Sequence, residues 1–267
     1  MTAATPPMPP ETVSVVIPVR NGIPFVGDAI RSALAQDHPA IEVLVVDDAS
    51  TDGTADWVSA QFGDRLRLIR LGTRHHLAGA RNVGLAHAQG VYLQFLDADD
   101  TLPPSKVRAQ LACFRRRPTL AVAVARTVED GSWRHRRARR LPASTADVLR
   151  PSMLRGNFIS VHAALCRTEA IRAVGGFNTA LTRCEDYDLW LRLIEANATF
   201  EMTPDVAVTY RRTAGSLSSN HRAQIVANWH VLAAAARRCP PAGRSERMAF
   251  HLHRASLVVR FAGTLLR

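Results

Sequence analysis

The sequence predicts an α/β fold, a mostly parallel central sheet flanked by helices, with a helical extension at its C-terminal end. Three observations carry this. Between residues 13 and 96, short apolar runs rich in β-branched residues alternate with single amphipathic stretches, which is the pattern of successive βαβ units. The runs are almost continuously apolar, as strands covered on both faces of a parallel sheet must be. Finally, 267 residues with 47% hydrophobic and 21% charged side chains can bury a full core, which excludes global disorder and a disulfide-stapled miniprotein.

The elements follow in order. Val13 to Ile17 is a buried strand ended by Pro18. Pro24 suits the first turn of a helix that carries Phe25, Ala29, Ile30, Ala33 and Leu34 at helical spacing and stops at Asp37-His38-Pro39. Ile41 to Val46 is the second strand. Ser50 to Thr54 supplies turn and cap residues for a helix with Trp57, Val58 and Phe62 inward, and Leu66 to Leu71 is strand three. Ala78 to Ala88 is a helix with Gly90 at its end, and Val91 to Leu96 is a strand leading directly into Asp97-Ala98-Asp99-Asp100. The second half is less regular. It predicts a helix over 105–116, a strand over 120–125, a turn-rich basic stretch to Pro142, a strand over 161–166, a helix capped by Thr168 and ending at Gly175-Gly176, and an amphipathic helix over 186–196. The last has Leu189, Trp190, Leu193 and Ile194 on its inner face. Two helical stretches after His221 are broken at Pro240-Pro241.

Several function classes are excluded or weakened by composition. No run reaches the roughly 20 apolar residues of a spanning helix, and the first ten residues lack the features of a signal peptide, so the expected location is cytoplasmic, with peripheral contact at the inner face of a membrane. The four cysteines form no C-x-x-C pair and the ten histidines no H-E-x-x-H, so no zinc is expected. The formal net charge is +11, and all but one of the 34 basic residues are arginine, Lys106 being the exception. Such a bias also arises from base composition, so it supports a polyanionic partner only weakly.

The chemistry concentrates at strand ends. Asp47-Asp48 and Asp97, Asp99 and Asp100 fall where strands two and four finish, the ligand-binding rim of a parallel sheet. Continued strand alternation would set Asp97 and Asp99 on one side, about 6.5 to 7 Å apart, with Ala98 turned away. Such hard oxygen ligands suit Mg²⁺ or Mn²⁺. An isolated D-x-D is as readily a solvated helix cap, but here an apolar strand precedes it and a second acidic strand end accompanies it.

Five segments in order, V-S-V-V-I-P-V-R-N-G (13–22), V-V-D-D-A-S-T-D-G-T (45–54), G-A-R-N-V-G (79–84), F-L-D-A-D-D (95–100) and G-G-F…C-E-D-Y-D-L-W-L-R (175–192), resemble the GT-A glycosyltransferases of family 2. The resemblance covers about residues 13 to 218. It implies an inverting transfer of a sugar from a nucleoside diphosphate sugar, usually a UDP-sugar, to a hydroxyl of a glycan or lipid-linked acceptor, in polysaccharide biosynthesis. Pro18 and Arg20 would then line the nucleoside pocket, Asp48 would bond the base, and Asp97 and Ala98 would lie near the ribose and donor sugar. Asp99 would hold the Mn²⁺ or Mg²⁺, and Arg81 and Asn82 would stand beside the donor, Asn82 alternatively serving packing. Asp186 matches the catalytic base and Glu185 an acceptor-side or structural hydrogen-bonding group. Both also suit simple capping of a helix N-terminus.

The pattern is broken in one place. Where family members often carry a histidine after Y-R-x, this chain has Thr213, a poorer metal ligand than imidazole, so metal dependence is less secure than donor binding, or Arg211 and Arg212 share the charge compensation. Residues 1–10 are expected as a disordered tail, 11–218 as the GT-A domain (nucleotide-binding half 11–100, acceptor half 101–218) and 219–267 as the helical extension. The basic stretch 133–140 is either a solvated loop or a capture site for an anionic acceptor or membrane. The amphipathic end from Ala255 rests on lipid or packs on the core. Two other readings compete: a basic nucleic-acid-binding protein, supported only by the arginine tract, and a catalytically silent GT-A scaffold. No nucleic-acid partner is expected, because no RRM, KH or zinc-finger signature is present. An oxidoreductase is disfavoured because no G-x-G-x-x-G follows the first strand.

Overall fold

Strand–helix alternation in the first hundred residues builds half of a seven-stranded sheet. A computed structural model of the protein describes residues 11–129, 145–210 and 220–265; the N-terminal tail, the arginine-rich stretch 133–140 and the Arg211-Arg212-Thr213 segment lie outside the described residues. The strands are β1 (Val13–Val19), β2 (Ile41–Asp47), β3 (Arg67–Arg70), β4 (Tyr92–Phe95), β5 (Val122–Glu129), β6 (Ala164–Arg167) and β7 (Phe200–Tyr210), in the spatial order β3-β2-β1-β4-β6-β5-β7. β1, β2, β3 and β4 are parallel, as is the β5–β7 pair, whereas β6 runs antiparallel to both β4 and β5. The sheet is thus mostly parallel, as the apolar runs require.

The helices are α1 (Ile23–Leu34), α2 (Thr54–Phe62), α3 (His76–His87), α4 (Lys106–Arg116), α5 (Ala146–Met153), α6 (Thr168–Ala173), α7 (Glu185–Glu195), α8 (His221–Arg238) and α9 (Gly243–Leu265). Helix α5 and strand β7 have no counterpart in the sequence reading. Three local expectations are corrected. β1 continues past Pro18 to Val19, because Pro18 needs no donor on the β4 side, where pairing ends at Val16–Phe95. Residues 161–163 form a 3-10 turn before β6. Thr168 does not cap α6; its hydroxyl donates instead to Gly90 O at 2.6 Å, tying α6 to the start of β4.

Two packing features position the site. Gly84 lets α3 press onto β1: a Cβ there would lie 2.2 Å from Val16 Cγ1, so any larger residue would push α3 and its Arg81 off the sheet. Beneath the rim, buried Lys106 donates to Gln94 and, at 2.5 Å, to Gln110, and burial pulls its ammonium down to about 7. Gln94 in turn donates to His162 O (3.0 Å) and Gln110 to Ala163 O (2.9 Å) and Ala123 O (2.7 Å). This network replaces the ladder where the 3-10 turn interrupts β6 pairing, and so seats His162.

Candidate active site

The order of the strands reverses between β1 and β4, and the loops that leave their carboxyl ends bound a crevice. Its donor side is stitched by loop-to-loop hydrogen bonds. Asn21 N donates to Ser50 Oγ, Thr51 N to Asn21 Oδ1 and Gly22 N to Thr54 Oγ1, at 2.8 to 2.9 Å. Asp48 is buried and accepts from His75 N at 2.5 Å, which fixes the entry to α3. Pro18 is buried beside it in the chain's first strand, and Arg20 is exposed at the rim.

Four non-glycine residues with left-handed backbone cluster at these ends: Asn21 (φ 52°), Ala49 (54°), His76 (59°) and Cys184 (58°). Each costs roughly 1 kcal/mol or more. Their positions follow β1, follow β2, open α3 and precede α7, so strain is held where backbone must turn sharply around the crevice.

The acids after β4 are arranged differently from a continued strand. The chain turns over residues 97–100, with Asp100 N donating to Asp97 O at 3.0 Å. The expected side-by-side placement of Asp97 and Asp99 by strand alternation is therefore overturned, since the strand ends at Phe95. The turn instead gathers Asp97, Asp100 and His162, whose ligand atoms lie within 4.8 Å of one another. His162 Nδ1 stands 3.0 Å from Asp100 Oδ2, with both side chains buried. Asp99, to which the resemblance assigns the metal, and Ala98 occupy the middle of the turn, half-buried. The donor set of two carboxylates and one imidazole suits Mn²⁺ and, less well, Mg²⁺. Asp100 was among the rim acids read from the sequence, though with no role of its own, whereas His162 was missed; only the register of β6 against β4 brings residue 162 to this rim.

Arg81 joins the two halves of the crevice. Its guanidinium donates to Asp97 Oδ1 and to Glu185 Oε1, both at 2.6 Å, and its carbon lies 5.2 Å from the centre of the Phe177 ring. Burial alone would depress its pKa, but the Asp97 and Glu185 charges raise it above the usual arginine value. Glu185 is buried and bound to Arg81.

Asp186, the next residue, is half-buried. Its carboxylate accepts from Asn157 Nδ2 (2.9 Å) and from Tyr187 N (2.7 Å). Burial first, then the neighbouring Glu185 charge, push it up to about 7, against the opposing pull of Arg81 and these two hydrogen bonds. α7 is fixed by buried aromatic pegs: Tyr187 Oη donates to Met153 O (2.7 Å) and Trp190 Nε1 to Ile159 O (3.0 Å). These bonds bracket Asn157 and hold it beside Asp186.

Asn82 has the packing role that its alternative reading named. Its amide accepts from Phe177 N and donates to Phe177 O, both at 2.8 Å, clamping the Gly175-Gly176 turn onto α3. Gly176 has φ 69°, and a Cβ there would lie 2.6 Å from Asn82 Oδ1. Gly176→Ala is therefore expected to lower stability by about 2 kcal/mol from backbone strain and the broken clamp, measured as a lowered midpoint in urea unfolding. Arg192 supports the same turn through Val174 O and Gly176 O and pairs with buried Asp188 at 2.7 Å.

The comparisons agree with this architecture. The model of glycosyl transferase family 2 matches residues 14–175. An uncharacterized glycosyltransferase of Rickettsia conorii is 30% identical over 226 residues, 81% of this chain and 37% of that protein, so the chain spans little more than a third of this relative's length. The Escherichia coli protein named UDP-Glc:alpha-D-GlcNAc-diphosphoundecaprenol beta-1,3-glucosyltransferase WfaP is 27% identical over 224 residues, 83% of this chain and 86% of WfaP. Among solved structures, Staphylococcus aureus TarS 1-349 in complex with UDP-GlcNAc superimposes with a TM-score of 0.74 at 21% identity, covering 93% of this chain and 72% of TarS. The mannosyltransferase PcManGT of Pyrobaculum calidifontis, in complex with GDP-Man and Mn²⁺, does so with a TM-score of 0.69 at 22% identity, covering 97% and 76%. These structures share the GT-A fold with the chain. Because the family model spans more than half of the sequence, the protein belongs to glycosyl transferase family 2.

Proposed function

We propose that the protein transfers a sugar from a nucleoside diphosphate sugar, a UDP-sugar in the first instance, to a hydroxyl of a glycan or lipid-linked acceptor, with inversion at the anomeric carbon. The observation that carries this reading is the Arg81 bridge from Asp97, at the donor rim, to Glu185, next to Asp186. It supports a site in which Asp186, one residue from Glu185, serves as base to an acceptor while the donor lies against Asp97. The names of the relatives support the substrate class, since WfaP is named for UDP-Glc and a diphosphoundecaprenol acceptor and TarS was solved with UDP-GlcNAc.

In this reading Asp48 and Pro18 receive the nucleoside, Arg20 stands at the mouth, and Arg81 holds Asp97 against the ribose and sugar. Asp186 takes the proton of the acceptor hydroxyl as its oxygen attacks the anomeric carbon, and the nucleoside diphosphate departs with the electrons of the broken bond. Asn157 and Tyr187 N orient Asp186 for this task. Asp99, with Asp97, Asp100 and His162 close by, would hold a divalent cation, which when bound offsets the negative charge of the departing diphosphate. The expected contribution of the base is about 10² to 10⁴-fold.

A panel of nucleotide-sugars screened by thermal shift, with and without Mn²⁺, tests the reading. At a donor concentration near 100 Kd, binding should stabilise the native state by about 2.7 kcal/mol, selectively for one donor, and Asp99→Ala should remove the Mn²⁺-dependent part of that shift. No stabilisation by any nucleotide-sugar overturns the reading, and stabilisation without turnover on any acceptor points to a silent scaffold.

A further inference from the structure

Helix α9 carries an outward stripe that nothing in the described chain covers. Met248, Leu252, Ala255, Val259 and Ala262 recur at spacings of four and three residues and so share one face. Ala249, Phe250, His253 and Leu257 face the core on the other side. Met248, Leu252 and Val259 are 50%, 59% and 72% exposed, and Val258 and Phe261 widen the patch.

Charge identifies the partner. Residues 220–265 contain seven arginines and one acid, Glu246, and that acid is bound by Arg150. Arg244, Arg247 and Arg260 are exposed on the same helix. No helix among the described residues is long and apolar enough to cross a membrane; what α9 offers is an exposed apolar stripe with arginines on the same helix, a surface that could rest in an interface with the stripe immersed and the arginines at headgroup level. The four-three spacing would also suit a second copy of the chain, but pairing two such helices would bring the exposed Arg244, Arg247 and Arg260 of one near those of the other, at a repulsive cost.

We propose that the outward face of α9 docks on an anionic lipid bilayer. The inner face couples that docking to the crevice. His253 Nδ1 donates to Leu154 O at 3.1 Å, and Arg150 of α5 holds both Glu246 and Cys239 O. Three residues beyond Leu154, Asn157 bonds Asp186. A protein seated through α9 therefore holds its acceptor-side elements in fixed relation to the lipid surface, where a lipid-linked acceptor would be presented. Docking itself requires no sugar transfer.

The test is co-sedimentation of the full chain, without donor or acceptor, with vesicles of phosphatidylcholine alone and with about 30% phosphatidylglycerol added. The protein should bind the anionic vesicles, and raised salt should release it. Leu252→Glu with Val259→Glu should weaken binding by at least about tenfold, and Arg244→Gln with Arg247→Gln and Arg260→Gln by roughly a hundredfold. All five side chains are exposed, so unchanged thermal melting and nucleotide-sugar thermal shifts should accompany the loss. Absence of binding to anionic vesicles overturns the proposal, as does binding that survives both sets of substitutions. A lipid-free dimer that Leu252→Glu with Val259→Glu converts to monomer also overturns it, because the stripe would then be a self-association face. The donor thermal shifts report separately on the transfer reading.

Discussion

Asp186→Asn is expected to abolish turnover while leaving donor binding within about twofold of the parent protein, because the amide keeps the shape but takes no proton, its single oxygen accepting from only one of Asn157 and Tyr187 N. A loss of about 10² to 10⁴ in kcat, read with saturating donor, checks it; unchanged kcat would remove the base from this residue. The raised pKa adds two pH signatures. Only the carboxylate form works as a base, so kcat/KM of the parent should fall as pH drops through about 7 and level off above it. Stability should run the other way. The folded value of about 7 lies above the ordinary 3.8, so between those values the native state binds more protons than the unfolded chain. The stabilisation from this proton is complete below about 3.8 and lost as pH rises through about 7. At pH 8 the native state therefore holds an unfavourable, half-buried charge beside Glu185, and Asp186→Asn should raise Tm while removing activity. A lowered Tm at pH 8 would show that the carboxylate is a net structural asset there.

Arg81→Met should be the most damaging single change at the crevice. It preserves length and packing against Phe177 but leaves Asp97 and buried Glu185 without their common partner. Breaking a buried ion pair from one side costs about 3 to 5 kcal/mol, which corresponds to roughly 10 °C in Tm for a domain of this size. Removal of the positive charge also takes away a pull that lowers the Asp186 pKa, so any residual activity should show its acid limb displaced to higher pH. Arg81→Lys separates charge from geometry. It retains one positive charge, so the limb should stay near its place, but a point ammonium cannot span both carboxylates as the guanidinium fork does, and kcat should still fall. An unshifted limb in Arg81→Met would show that Arg81 acts on the fold and not on the base.

The first half of the molecule was legible because its signals are local. Strand-length apolar runs, single helices and turn residues fix β1 to β4 and α1 to α3 within a residue or two of the predicted limits, and a parallel sheet then dictates that Asp48 and Asp97 stand at one rim. The second half resisted for the same reason in reverse. β6 is antiparallel between strands that run the other way, and β7 pairs with β5 across a register shift, so their partners are set by contacts distant in sequence. α5, whose interior Pro151 argues against a helix, is held by tertiary bonds to α7 and α9.

The sequence alone determined the fold class, the family resemblance and the acidic positions, because each is written in short-range pattern and motif order. Tertiary structure alone decided which groups those acids meet. A reverse turn, not a strand, follows Phe95, so Asp97 keeps company with Asp100 and His162. Arg81 and Glu185, 104 positions apart, meet only because Gly84 lets α3 lie tight on β1 while α7 packs from the far side. Asn82, adjacent to Arg81, spends its amide on Phe177. Ion pairs and pKa shifts depend on burial and on distances of a few ångströms, and those quantities exist only after the chain has closed on itself.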